Sequence, residues 1–308
     1  MYKVLIIAGQ TATGKSEIAF HLATKLNGEI INADSIQVYK YFDIGSAKPP
    51  LTFREKIPHH LIDILNPNEE FNAFIFRKLA EEKVKDIYEK GKVPIIVGGT
   101  GLYIRSFLYG LFEQDDKAIK EARKFWENKL NKVGLKALYE ELKKIDAEIA
   151  NKIHENDRIR IIRALEFYSA TGMKLSEVQQ KHKFDHSHYD FKILVPLLPK
   201  DELLKRIIER TKKIFNQGII EETRKIIGLF GKVIKPIKSI GYKEALLYID
   251  GKISFDEAIQ QTIKSTKDYA KRQLIWFKKE KNLEFIKADT PSLEKIFLEK
   301  AKKFLHNC

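Results

Sequence analysis

The 308-residue chain is long enough to bury a large core as one elaborated domain or two, and its 44% hydrophobic share with 19 Phe and 12 Tyr excludes a disordered polypeptide. No apolar run approaches the roughly 18 residues of a membrane span, the opening "MYKVLIIAG" is too short for a signal peptide, and Cys308 as the sole cysteine excludes intramolecular disulfides and a thiolate zinc site; a cytoplasmic protein without a membrane segment is expected. The 56 Lys and Arg against 42 Asp and Glu leave a formal charge of +14, which favours a polyanionic partner such as nucleic acid, although lysine enrichment also accompanies heat adaptation.

In chain order, the apolar run Val4 to Ile7 leads into Gly9, and Gly9, Gly14, Lys15 and Ser16 fall on the G-x-x-x-x-G-K-[ST] spacing before a helical pattern of Ile18, Leu22 and Leu26 begins. The physics asks for these residue types. Glycines allow a tight turn with inward N–H groups, Lys15 supplies a point charge, the Ser16 hydroxyl can ligate Mg²⁺, and the next helix aims its positive end at an anion. Whether that anion belongs to a nucleoside triphosphate or to another diphosphate stays open at this point. A second strand, "GEIINADS", ends in Asp34 at the carboxyl edge of the sheet, where open α/β folds bind ligands; Asp34 is either a site carboxylate or a helix cap.

The run "HHLIDIL", a helix from Ala73 to Lys90 and the strand "KVPIIVGG" continue the alternation, so a doubly wound α/β fold with a parallel sheet and helices on both faces is expected. The last of these strands ends in Gly98, Gly99 and Thr100, where a P-loop NTPase places its Mg²⁺-holding aspartate. That weakens ATP hydrolysis or kinase chemistry without excluding it, and leaves Asp34 as the one well-placed carboxylate, able to act as a general base.

From Gln114 to His186 helical periodicity replaces strands: Leu138, Leu142, Ile145, Ile149 and Ile153 share one face, and Ile161, Leu165 and Tyr168 begin another that ends near Gly172. The sheet resumes at Phe191–Leu198, followed by helices over 201–228, 239–249, 254–280 and 291–305, with the apolar "LEFIKA" before the last. The expected organisation is a catalytic core of residues 1–113 and 187–308 and a helical insertion, 114–186. Arg160 and Arg163 stand one turn apart, and Lys264, Lys267, Lys271 and Lys278 form a stripe near Tyr269, Trp276 and Phe277; each group reads as a solvated face or as a nucleic-acid contact. His59, His60, His182, His186 and His188 are read as packing or hinge residues rather than a metal site.

The blocks "GQTATGKS", "NADSIQVYKYFDIGSAKP", "PHHLIDI", "VPIIVGGTGLYIRSFLYG", "ENDRIRIIRALEFYSATG", "QGIIEET", "SIGYKEA" and "TKDYAKRQLIWFK" resemble, in order and spacing, the tRNA dimethylallyltransferase family. The resemblance implies transfer of a dimethylallyl group from dimethylallyl diphosphate to the exocyclic amine of the adenosine 3′ of a tRNA anticodon. It makes Asp34 the general base and Thr11, Lys15 and Arg210 its catalytic companions. The diphosphate would lie on Gly9, Gln10, Thr11, Ala12, Thr13, Gly14, Lys15 and Ser16 with Arg206 as a further clamp and Mg²⁺ on Ser16. Around the flipped adenosine it implies Asp34, Ser35, Ile36 and Gln37, with further tRNA contacts at Thr100, Lys120, Ile159, Arg160, Ile161, Ile162, Arg163, Lys271 and Arg272. A monomer is expected.

The chain departs from the family pattern at Gln10 (usually Pro), Thr13 (Ser), Arg158 (Pro), Lys267 and Lys278 (Arg) and Ile275 (Thr), and it lacks the zinc-finger extension of eukaryotic members. Lysine has no bidentate fork, so these changes bear on the tRNA contacts. Two other readings are a P-loop kinase or isopentenyltransferase acting on free adenine nucleotide, and a basic RNA-binding protein without chemistry. Neither accounts for a helical insertion, basic stripes, Asp34, Lys15 and Ser16 together.

Overall fold

β1 (Tyr2–Ala8) buries every residue from Val4 to Ala8, the two-sided burial of a central strand in a parallel sheet. The structure, a computed structural model, describes residues 1–111, 116–182, 187–290 and 292–306. They form two compact units, Met1–Leu108 with His188–Cys308 and Tyr109–Ser187. The expected boundary positions 113, 114 and 186 lie outside the described residues, as do Pro291, where the last helix was expected to start, and Cys308.

In the first unit, β1 is followed by α1 (Lys15–Lys25), β2 (Gly28–Asn32), α2 (Leu51–Lys56), β3 (His59–His60), α3 (Ala73–Glu89), β4 (Val93–Gly98) and α4 (Gly101–Tyr109). The other unit holds α5 (Asp116–Ile145), α6 (Ala147–Lys152), α7 (Arg158–Thr171) and α8 (Leu175–His182). The chain then returns to the first unit with β5 (Tyr189–Leu197), α9 (Lys200–Asn216), α10 (Ile219–Phe230), α11 (Tyr242–Ile249), α12 (Phe255–Phe277), β6 (Leu283–Lys287) and α13 (Leu293–His306).

The six strands pair in the order β3-β2-β4-β1-β5-β6, parallel throughout. This is the expected α/β class. The chain leaves β1 for β2 past β4, and leaves β4 for β5 past β1, so the carboxyl ends of β1 and β4 bound the switch-point crevice in which such sheets bind ligands. One sheet face, with Leu5, Ile7, Ile95 and Val97, packs on Ile18 and Leu22 of α1 and Phe297 and Ala301 of α13. α3 covers β2, β4 and β1, burying Phe76, Ala80, Val84 and Ile87 at steps of three and four.

Several sequence expectations shift. "HHLIDIL" supplies only the two-residue β3, because Leu61 and Asp63 take left-handed φ values of 62° and 57° and break the strand. The helix expected over 201–228 is two, parted at Gly218 (φ 99°), and the one expected from 239 begins at Tyr242. In the insertion, α5 is interrupted at Gly134 (φ 81°), and the face expected to run from Leu138 to Ile153 breaks at Asp146, whose side chain caps α6 through the Ile149 N–H at 3.1 Å. Leu138, Leu142, Ile149 and Ile153 are nonetheless buried together, and α7 ends at Gly172 (φ 69°).

Candidate active site

The loop between β1 and α1 owes its shape to three left-handed residues, Gly9 (φ 126°), Ala12 (φ 63°) and Gly14 (φ 82°). A Cβ on Gly9 would lie 2.8 Å from Val195 Cγ1, so only glycine lets the loop cross β5 this closely. Within the loop the Gln10 carbonyl accepts from the Thr13 hydroxyl at 2.9 Å and from the Lys15 ammonium. Arg210, reaching in from α9, donates to the Thr11 hydroxyl at 3.0 Å. Gly9 through Ser16 thus form the continuous turn that the spacing predicts, and Ser16 sits in the first turn of α1 beside the cavity.

A cavity of about 1190 Å³ opens over this loop, with Thr11, Lys15, Ser16, Asp34, Arg206 and Arg210 among its lining residues. Burial pushes the Lys15 ammonium down to about 7, with Arg210 adding to the shift while Asp34 and Glu17 oppose it. Burial also lowers Arg210. Two desolvated cations side by side favour an anion that lies against both. Arg206 lies further out, 40% exposed at its side chain, with its Nε donating to Glu202 at 2.8 Å.

Asp34 opens a turn rather than capping a helix, and it also lines the cavity. Its Oδ1 accepts from the Ile36 and Gln37 N–H groups at 2.8 and 3.2 Å, an Asx turn that fixes the carboxylate plane. Its Oδ2 has no hydrogen-bond partner among the described residues, and Asp34 is one of the residues lining the cavity. Across from it, the Tyr269 phenol is pushed up to about 12 by burial and then by the Asp34 charge. Ser35 and Ile36 are half-buried beside Asp34. Gln37 is buried and spends its amide on the Ser46 and Ala47 carbonyls at 3.1 and 3.3 Å, so its side-chain nitrogen holds the protein's own loop.

Other candidate residues separate into surface and interior. Lys271 and Arg272 are exposed on α12 with Lys264, Lys267 and Lys278, and Arg272 lies 5.9 Å over the Tyr269 ring. Thr100 opens the turn into α4, where a Cβ on Gly99 or Gly101 would collide with Gln273 or Trp276 at 2.1 and 2.2 Å. In the insertion Lys120 is exposed on α5, Ile159 is 81% exposed and Arg160 is exposed beside Asp157 at 3.4 Å. Ile161 and Ile162 correct the sequence reading as direct contacts, since both side chains are buried in the insertion core. Arg163 is likewise turned inward, donating to buried Glu166 at 2.8 Å, and that carboxylate also takes two hydrogen bonds of 2.7 Å from Arg123. Gln10, expected on the diphosphate, is 5% exposed and directs its amide to the Ala270 carbonyl at 3.1 Å.

Residues that spacing alone did not single out complete the site. Glu222 accepts from the N–H groups of Asp43, Ile44 and Gly45 at 2.9–3.2 Å and from the Tyr242 hydroxyl at 2.5 Å, clamping the segment after Asp34 to α10 and α11. Burial and then Glu222 raise the Tyr242 phenol. Lys48, 3% exposed at its side chain, ties Asp43 and Asp63 together. Gln273 accepts from the Thr11 N–H at 2.8 Å and donates to the Gly99 carbonyl at 3.0 Å. Among the described residues no three His, Cys, Asp or Glu side chains gather as a metal cage, and no helix is long and apolar enough to cross a membrane.

Comparison with known proteins places this geometry. The IPP transferase family matches residues 37–280 and the isopentenyl transferase family residues 2–57. The chain is 42% identical to tRNA dimethylallyltransferase 1 of Citrifermentans bemidjiense over 282 residues, covering 91% of this chain and 90% of the relative. Among solved structures, the tRNA isopentenylpyrophosphate transferase of Staphylococcus epidermidis superposes with a TM-score of 0.74 at 36% identity, each chain covered completely. A eukaryotic dimethylallyltransferase acting on tRNA superposes with a TM-score of 0.84 at 29% identity, covering all of this chain and 80% of that one. The chain belongs to the IPP transferase family, within which its matched relatives are tRNA dimethylallyltransferases.

Proposed function

We propose that the protein transfers the dimethylallyl group of dimethylallyl diphosphate to the exocyclic amine of the adenosine 3′ of a tRNA anticodon, releasing pyrophosphate. One observation carries the reading: two desolvated cations, Lys15 and Arg210, meet at a phosphate loop whose cavity also contains the Asp34 carboxylate. A nucleotide hydrolase needs an acid after β4; the residues there are Gly98, Gly99 and Thr100.

The residues divide the work by charge. In the reaction the allylic carbon–oxygen bond breaks, the bond from that carbon to the adenine nitrogen forms, and the amine gives up one proton. Negative charge collects on the departing diphosphate, where Lys15, Arg210 and the N–H groups opening α1 oppose it, with Arg206 at the rim. Asp34 Oδ2 takes the proton, its plane held by the turn through Oδ1. Extrusion of the base brings it against Ser35, Ile36 and the Thr100 turn.

Magnesium fits this donor set as an ion held mainly by the substrate. The Ser16 hydroxyl would be its protein ligand, since a hard cation of this kind takes oxygen donors. When bound it supplies further neutralisation of the leaving diphosphate.

The exposed basic face of α12 and, separately, exposed Arg158, Ile159 and Arg160 on α7 and Lys120 on α5 are the proposed RNA contacts. Incubation with radiolabelled dimethylallyl diphosphate and unmodified tRNA, followed by nucleoside analysis, tests the reading. Label on an adenosine beside the anticodon is expected; brisk ATP turnover with no labelled RNA, or label on free adenine nucleotide alone, would overturn it.

A further inference from the structure

Helix α12 turns one side to the phosphate loop and the other to solvent. Ala270, Gln273 and Phe277 are buried at steps of three and four, while Lys267, Lys271, Arg272 and Lys278 are exposed. Gln273 spans two strand ends, taking the Thr11 N–H of the β1–α1 loop at 2.8 Å and giving to the Gly99 carbonyl after β4 at 3.0 Å. It is 5% exposed, and a Cβ on Gly99 would stand 2.1 Å from its Nε2, so only glycine at 99 lets the amide sit against this backbone. Its two partners have opposite polarity, and a carboxamide is the side-chain end that both accepts and donates in that space. Thr11 is also the residue whose hydroxyl receives Arg210 at 3.0 Å. One turn earlier on α12, the Ala270 carbonyl takes the Gln10 amide at 3.1 Å, a second tie from the adjacent loop residue.

We propose that Gln273 is a positioning residue for diphosphate binding: held by α12, it fixes the Thr11 backbone, and through Thr11 it sets Arg210 and the loop N–H groups in the arrangement that receives the anion. This rests on the reading of the loop as the diphosphate cradle. It separates two duties of one helix, whose outer lysines are not involved. Gln273→Met keeps length and removes both hydrogen bonds, and Gln10→Ala removes the neighbouring tie alone.

The test titrates inorganic pyrophosphate with magnesium, and separately an unmodified anticodon hairpin, into the full-length protein, and measures KM and kcat for dimethylallyl diphosphate. Q273M is expected to weaken pyrophosphate binding and raise the donor KM by about tenfold, with hairpin affinity within about twofold and kcat within about threefold. Q10A is expected to move the same quantities in the same direction by about threefold.

Equal pyrophosphate affinity in wild type and Q273M, or parallel loss of hairpin and pyrophosphate binding, overturns the positioning role. Failure of the wild type to bind pyrophosphate removes the cradle reading and this inference with it. Should Q273M not fold, amide exchange in the wild type decides: Thr11 is expected to exchange at least about tenfold more slowly than Ala12, and equal rates overturn the proposal.

Discussion

In the α/β unit, Lys15 and Arg210 are half-buried beside the phosphate loop, and their hydrogen bonds among the described residues run to neutral oxygens of Gln10 and Thr11. In the helical insertion, fully buried Glu166 is matched by Arg123 and Arg163, with hydrogen bonds of 2.7–2.8 Å. Both arrangements bury charge, an operation that costs several kcal/mol for each uncompensated ion. In the insertion the compensation comes from within, and the cluster is complete as folded. In the core, Asp34 and Glu17 offset the two cations only in part, which suits the proposed diphosphate as the remaining counter-charge. Charge that the protein leaves partly unmatched thus marks the proposed reacting site, and charge matched from within builds the fold.

The comparison is broken most severely by removing Asp34, the proposed base. Asp34→Ala is expected to lower kcat by on the order of 10² to 10⁴ with tRNA affinity largely retained; equal loss in a filter-binding assay would contradict a base at Asp34 Oδ2. Next in size, Lys15→Met should raise the donor KM by roughly 10- to 100-fold, the range for a hydrogen bond to a charged group. The Lys15 ammonium falls to about 7 in the unliganded site, and an anion restores the charged form, so binding takes up a proton above that pH. Pyrophosphate affinity should consequently fall as pH rises above about 7, by up to tenfold per unit, and calorimetry on Lys15→Met subtracts the ligand's own titration. Stability has a linked sign: the folded value lies below the ordinary lysine value of 10.5, so the unliganded fold gains stability as pH rises from about 7 towards 10.5.

The insertion answers differently. Glu166→Gln should leave donor KM unchanged and cost about 1–3 kcal/mol in urea unfolding, because the buried carboxylate's charge-assisted bonds are lost while Arg123 and Arg163 retain partial access to water. A shift in donor KM would show that the insertion's internal charge cluster serves the cradle after all.

Much of this division was legible in the chain. The Gly9, Gly14, Lys15 and Ser16 spacing located the loop because a phosphate cradle constrains neighbouring residues, and short-range constraints leave a pattern. Apolar runs gave the class of sheet for the same reason. Gln273, Glu222 and Lys48 left no local pattern, since each acts on backbone brought close by the fold, the Thr11 amide lying 262 positions from the side chain that holds it. The two-residue β3 was overread because burial in "HHLIDIL" looked like strand periodicity, whereas the left-handed turn at Leu61 and the use of Asp63 to hold Lys48 and Arg54 are tertiary facts. Ile161 and Ile162 were misassigned for a related reason: a contiguous block of a helix cannot face one partner, and 3.6-residue periodicity sends its members to opposite sides.

That periodicity also frames the smallest expected effect, at Arg160. Its side chain is 68% exposed, its approach to Asp157 at 3.4 Å is a surface pair worth under about 1 kcal/mol, and its neighbour Ile159 is more exposed still. Arg160→Ala should therefore leave the insertion's unfolding curve unmoved, because no buried group loses a partner. If this exposed turn meets the RNA backbone, the same change should weaken hairpin binding a few-fold and reduce the slope of log affinity against log salt by about 0.7 to 0.9, the release of one counterion per phosphate contact. Arg163→Ala, at a position spent on Glu166, should do the reverse, lowering stability with little change in slope. An identical salt slope for Arg160→Ala and wild type would remove the outer face of α7 from the interface and leave the basic side of α12 as the principal electrostatic contact.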